Sequence, residues 1–198
     1  MTDIYRTITL PSEATVTEKR SRFLAFAYPV STVDEVKEHL AWLQKKYFDA
    51  RHVCWAYMLG PKRTEFRAND NGEPSGTAGK PILGQINSLE LTDVLVAVVR
   101  YFGGIKLGTS GLIVAYRQAA REALEAAEIV ERHEMRLVSF TYPYMVMNDV
   151  MKLAHGDGCE TVASDFDNVC SMTIRVEADR ESLLRSRLAD IDGLQFDM

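Results

Sequence analysis

Between Val94 and Val130 the chain passes from an uninterrupted apolar run, through four glycines, into a long alanine-rich segment. Few folds accommodate that succession. Val94-Leu95-Val96-Ala97-Val98-Val99 carries no polar residue, so a strand over Val94–Phe102 is expected to be buried on both faces, as in a layered α/β core. Gly103–Gly111 reads as a glycine-rich turn, and Leu112–Val130 as a helix rich in the best helix former. The apolar run is far short of the roughly 20 residues that cross a bilayer, so no membrane span is expected.

The flanking sequence fits the same class. Tyr5–Leu10, Thr15–Arg20 and Arg22–Val30 are strand-like. Ser31 or Thr32 caps a helix near Val33–Phe48, whose stripe is Val33, Val36, Leu40, Leu43 and Tyr47. Val53–Leu59 and Thr64–Ala68 read as a hairpin, and Lys80–Asn87 as a short helix. After the charged run Val130–Glu134, taken as a linker, come a strand at Val138–Tyr142 and a helix with stripe Met147, Val150, Met151, Ala154, stopped by Gly156-Asp157-Gly158. Strands at Cys159–Asp165 and Val169–Glu177, a helix with Leu184, Leu188 and Ile191, and a short strand at Leu194–Asp197 complete it. That order is the β-α-β-β-α-β ferredoxin-like pattern.

Charge divides the chain in the same place. The 198 residues carry a net charge of −5, which excludes a polycation coating nucleic acid. Residues 1–132 hold 17 basic and 16 acidic side chains, whereas residues 133–198 hold 6 basic and 12 acidic. Domains 1–132 and 133–198 with different electrostatic roles are expected, and a polyanion would be met by the first. Three scattered cysteines without a C-x-x-C pair, and an N-terminus without a secretory pattern, point to a reduced, cytoplasmic protein.

Two glycine-rich segments carry the candidate chemistry. Asn69–Leu83 packs Gly72, Gly76 and Gly79 around Glu73, Ser75, Thr77 and Lys80. Amides at the start of the following helix would attract an anion. The phosphate loop G-x-x-x-x-G-K-[ST] is absent, because Pro81 follows Gly79-Lys80. Val98–Tyr116 delivers Arg100, Tyr101 and Phe102 at a strand end, then Gly103, Gly104, Gly108 and Gly111 with Lys106, Thr109 and Ser110. Backbone amides with Lys106 could hold an anion there, or Thr109 or Ser110 could simply cap the helix. Both bends are expected to meet in one positively charged hollow containing Lys80, Arg100 and Lys106. Arg51 and Arg67 add cations, with Tyr101 or Trp55 to stack a base. Cys54 reads as a small buried residue, and His52 as a polar group on its strand. The four histidines show no ligand spacing, so no metal or cofactor is expected.

The strings KRSRF, ARHVCWAY, DNGEPSGTAGKPIL and VVRYFGGIKLGTSGL resemble the IMPACT family over about residues 18–126, and the second half resembles the small domain of its bacterial members. The resemblance implies an α+β protein. Its first domain would be an α/β sandwich like the second domain of a small-subunit ribosomal protein, also found in elongation factor G and in GHMP kinases. Its second would be ferredoxin-like, as in domain five of elongation factor G. Eukaryotic relatives restrain a stress kinase of translation initiation through an additional N-terminal domain, an interaction not expected here. The function expected is a non-enzymatic binding protein contacting RNA or the ribosome, with a role in translation regulation. One alternative is a protein–protein regulatory module docking through the C-terminal domain. Another is a small enzyme on a phosphorylated or nucleotide-like substrate, using Glu73 or Asp70 as base, His52 as acid and Lys106 as charge stabiliser.

Overall fold

The computed structural model describes residues 4–156, 158–167 and 169–197 of a mixed α/β chain. It divides into two compact units, Tyr5–Arg132 and, grouped with the chain up to Ile4, His133–Met198. The first contains β2 (Ser12–Glu18), β3 (Ser21–Pro29), α1 (Val33–Lys46), β4 (His52–Leu59), β5 (Glu65–Asn69), α2 (Gly79–Ser88), β6 (Val94–Tyr101) and α3 (Gly108–Glu125). Its sheet is antiparallel with order β2-β3-β6-β4-β5. β6 lies at the centre, which accounts for its unbroken apolar run. Val94, Val96 and Val98 pack with α2 and α3 on one face. Leu95, Ala97 and Val99 pack with Val36, Leu40 and Leu43 of α1 on the other. From Val94 to Val99 this antiparallel strand is thus apolar on both sides because helices cover both faces of its sheet.

Local chemistry sets the helix starts. Thr32 caps α1 by accepting the Glu35 N–H at 3.2 Å, and the Glu35 carboxylate accepts the Ser31 N–H. Before α2 stands Ala78, which has no side-chain cap to offer.

The second unit runs β8 (Met135–Pro143), a 3-10 turn (Tyr144–Val146), α4 (Met147–Ala154), β9 (Cys159–Asp165), β10 (Val169–Glu177), α5 (Ala178–Ala189) and β11 (Gln195–Phe196). Its antiparallel sheet has order β11-β8-β10-β9. Val138, Phe140, Tyr142, Met172, Ile174 and Val176 pack with Val150, Leu184 and Leu188. No helix among the described residues is long and apolar enough to cross a membrane.

Some boundaries differ from expectation. α3 begins at Gly108 and ends at Glu125, not at Leu112 and Val130. The first four N–H groups of a helix have no intrahelical acceptor, so glycines in that opening turn interrupt no ladder of bonds. Gly103–Gly111 is correspondingly a shorter turn. Thr109 and Ser110 lie inside α3, and Leu107 occupies the cap position without a side-chain bond. The expected linker is instead strand β7 (Ile129–His133), which pairs with β1 (Ile4–Ile8) in a two-stranded sheet. In the helix stop Gly156-Asp157-Gly158, Asp157 lies outside the described residues, as do residues 1–3 of the N-terminus. α4 itself ends at Ala154.

Candidate functional site

The first glycine segment binds an anion, and the anion is its own. Asp70 Oδ1 accepts the N–H groups of Ala78 and Gly79 at 3.0 and 2.8 Å, and Oδ2 accepts that of Gly76 at 2.8 Å. Asp70 therefore caps α2 from outside the helix and occupies the amides that a phosphate was expected to take. The missing cap at Ala78 was the sequence signal for such a group. Burial raises the Asp70 pKa, but the three amides and the Lys80 charge outweigh it, so the carboxyl sits below its ordinary value of 3.8. A carboxyl with a depressed folded pKa stabilises fully above the unfolded value and loses that contribution as pH falls through the folded one. Asp70→Asn should therefore destabilise at pH 7, and the gap to wild type should close in denaturation curves taken below about pH 3.8. A gap that widens on acidification would contradict the assignment.

Glu73 of the same segment reaches inward. Its Oε1 accepts Arg100 Nη1 at 2.6 Å and the Tyr116 hydroxyl at 2.8 Å. The Arg100 and Glu73 side chains are only 8% and 4% exposed. The Tyr116 hydroxyl also meets the Cys54 Sγ at 3.3 Å, and the Cys54 thiol donates to the Asp70 carbonyl at 2.9 Å. Burial pushes the Cys54 thiol up to about 12, making it no nucleophile at neutral pH. It also raises the Tyr116 phenol, helped by Cys54 and Glu73. This network pins the loop to β6 and α3. Arg100, expected as a surface cation, is spent within it, with its buried Nε unpartnered. Glu73 and Asp70 are likewise committed to structural partners.

Above the network lies a hollow of about 390 Å³, lined by Arg51, His52, Glu73, Pro74, Arg100, Phe102, Lys106, Leu107, Gly108, Thr109 and Leu112. Arg51 and Lys106 are exposed. His52 Nδ1 lies 2.8 Å from the Asn71 carbonyl oxygen. A carbonyl only accepts, so Nδ1 carries a proton. The first turn of α3 holds no acidic residue, so no side chain of that turn offsets the positive end of its dipole at the hollow's edge. Phe102 is 54% exposed there; the sequence places it at the strand end beside Arg100 and Tyr101 but assigns it no role.

Not all candidates gather here. Lys80 and Gly76 line a separate hollow with Gly84, Gln85, Ile113 and Arg117, so the two bends do not share one cation cluster. Arg67 lies on β5 with its guanidinium 5.9 Å from the Trp55 ring, which stacks on Tyr57. Tyr101 donates its hydroxyl to Asp49 at 2.7 Å. Thr77 is buried and donates to the Pro74 carbonyl, while Ser75 and Ser110 are exposed. Gly103 packs on the β2–β3 turn, and Gly104 has a positive φ of 87° with open space where a Cβ would point.

Known proteins share this architecture. Residues 19–124 match the Impact N-terminal domain. IMPACT family member YvyE of Bacillus subtilis is 40% identical over 140 residues, covering 71% of this chain and 64% of that protein. An IMPACT family member of Haemophilus influenzae is 32% identical over 162 residues, 79% of each chain. IMPACT family member YigZ of Escherichia coli is 29% identical, with 87% of this chain and 85% of that protein aligned. A crystal structure described as that of a hypothetical protein superposes with a TM-score of 0.78 at 26% identity, covering 99% of this chain and 97% of the other. With one domain matched over more than half its length and relatives aligned along most of the rest, this chain belongs to the IMPACT family.

Proposed function

We propose that the protein is a non-enzymatic RNA-binding factor in translation control, which grips a single-stranded, phosphate-bearing segment of RNA at the hollow of its first unit. The observation that carries this reading is the convergence of Arg51, Lys106 and the acid-free N-terminal turn of α3 beside an exposed Phe102. Cations and helix amides suit phosphate oxygens, and an exposed ring offers a sequence-tolerant face for a base. Catalysis is disfavoured because the carboxylates that would act as bases are bonded elsewhere. Membership of the IMPACT family, which the sequence resemblance ties to translation control, favours the same setting. On this reading the first unit is the ribosomal-protein-like sandwich, and the second is the ferredoxin-like module.

The second unit favours a protein contact. It carries twice as many acidic as basic side chains, and its edge strand β9 is exposed from Glu160 to Asp165. Acid excess repels RNA, and an open edge suits strand addition.

Binding of a labelled oligouridylate, followed by fluorescence anisotropy between about 50 and 200 mM salt, tests the proposal. Wild type should lose affinity steeply as salt rises. Arg51→Ala with Lys106→Ala should bind more weakly, with a log–log slope shallower by roughly 1.4, about 0.7 per phosphate contact on a single strand. Affinity indifferent to salt, or unchanged in the double variant, would remove the basis for the reading.

A further inference from the structure

The β2–β3 turn is built against its own backbone preference. Glu18 pairs with Ser21, which leaves Lys19 and Arg20 as a two-residue loop. Both have positive φ, 44° and 67°. That geometry belongs to the I′ turn, whose natural residues are Asn-Gly. A Cβ in the left-handed region is strained, and such strain concentrates at functional sites. The chain uses Asn71-Gly72, at φ 42° and 84°, where it needs a similar backbone elsewhere. Among the described residues, Lys19-Arg20 is the one place where two successive non-glycine residues take positive φ. Closing the hairpin does not explain two long cations there.

The fold puts this turn directly against the second glycine bend. A Cβ on Gly103 would fall 2.0 Å from the Arg20 carbonyl carbon and 2.3 Å from the Ser21 nitrogen. The Gly103 N–H donates to Ser21 Oγ at 3.1 Å. Lys19 and Arg20 therefore lie against the bend that follows Phe102 and leads to Lys106, residues 82 or more positions away in sequence. Both are exposed, and among the described residues neither enters an ion pair.

We infer that Lys19 and Arg20 are an outer phosphate clamp for the RNA strand that enters the hollow, holding its backbone where the β2–β3 turn meets the Gly103 bend. The inference rests on the RNA reading above and extends it to a second element. The turn's strain is then maintained for binding, so binding and stability should move in opposite directions.

The test replaces the clamp with the residues the turn prefers. Lys19→Asn with Arg20→Gly should raise the melting temperature by a few degrees. The same variant should weaken oligouridylate binding at least about fivefold at 0.1 M salt, with a slope shallower by about 1.4. Because this variant folds at least as well, weaker binding cannot arise from unfolding. Lys19→Arg with Arg20→Lys, which keeps both charges, should retain wild-type affinity. If wild type fails to bind oligouridylate, the RNA reading and the clamp fall together. If wild type binds and the Arg51/Lys106 variant is impaired, while the Asn-Gly variant binds like wild type, the clamp alone is wrong. A lower melting temperature for the Asn-Gly variant would also overturn it, since the cations would then serve the hairpin.

Discussion

Glu73→Ala should cost the first unit roughly 3–5 kcal/mol, the usual consequence of removing one partner of a buried ion pair. The cost comes less from the lost attraction than from what remains. Arg100 would keep its charge with 8% of its side chain exposed, between the rings of Phe23 and Phe102 at 5.5 and 5.7 Å. The Tyr116 hydroxyl would lose its carboxylate acceptor in the same step. Urea denaturation should show the loss as a fall in midpoint with little change in slope. Removing both charges with Glu73→Met and Arg100→Met should recover much of it, because replacing a buried pair with apolar side chains is often close to neutral. A single variant within about 1 kcal/mol of wild type would show that water reaches Arg100 and that the pair is not sealed.

Gly103→Ala is expected to be nearly as damaging for a different reason. The added methyl would lie 2.0 Å from a backbone carbon and 2.2 Å from a backbone oxygen of Arg20. Backbone cannot rotate aside as a side chain can, so the bend and the β2–β3 turn must separate. Overpacking of this kind usually costs about 1–3 kcal/mol, and a clash with main chain belongs at the upper end. The displacement also carries Phe102 and Lys106 away from their positions at the hollow, so RNA affinity should fall with stability. By contrast Gly104→Ala meets no neighbour and bears only the strain of its positive φ. A melting temperature for Gly103→Ala equal to that of Gly104→Ala would refute the close approach.

Much of the fold was legible where short-range pattern decides structure. The apolar run of β6, the Leu40–Leu43 stripe of α1 and the alternation of Met172, Ile174 and Val176 each report one element and the face it buries. The expected bounds of β9 and β10, Cys159–Asp165 and Val169–Glu177, are the ones the structure shows. What failed depended on distant partners. Val130–Glu134 reads as a charged linker, yet Ile129–His133 is a strand because β1, some 120 residues earlier, pairs with it. Gly108–Gly111 reads as a loop because glycine disfavours helix interiors, yet these four open α3, where that penalty matters least.

The candidate site divides along the same line. Chain order alone determined that two glycine-rich bends flank a buried strand, that the cations lie in the first 132 residues, and that acid dominates the rest. Tertiary structure alone decided which of those charges face outward. Arg100 and Glu73 sit 27 positions apart and cancel each other under the surface. Asp70 turns back to fill the amides of α2. Lys19 and Arg20, at the end of a strand-like stretch in the sequence, arrive against Gly103, next to Phe102. The reason is desolvation: a charge taken out of water must find an opposite charge or a set of donors, and only the folded chain determines which groups come close enough to supply them.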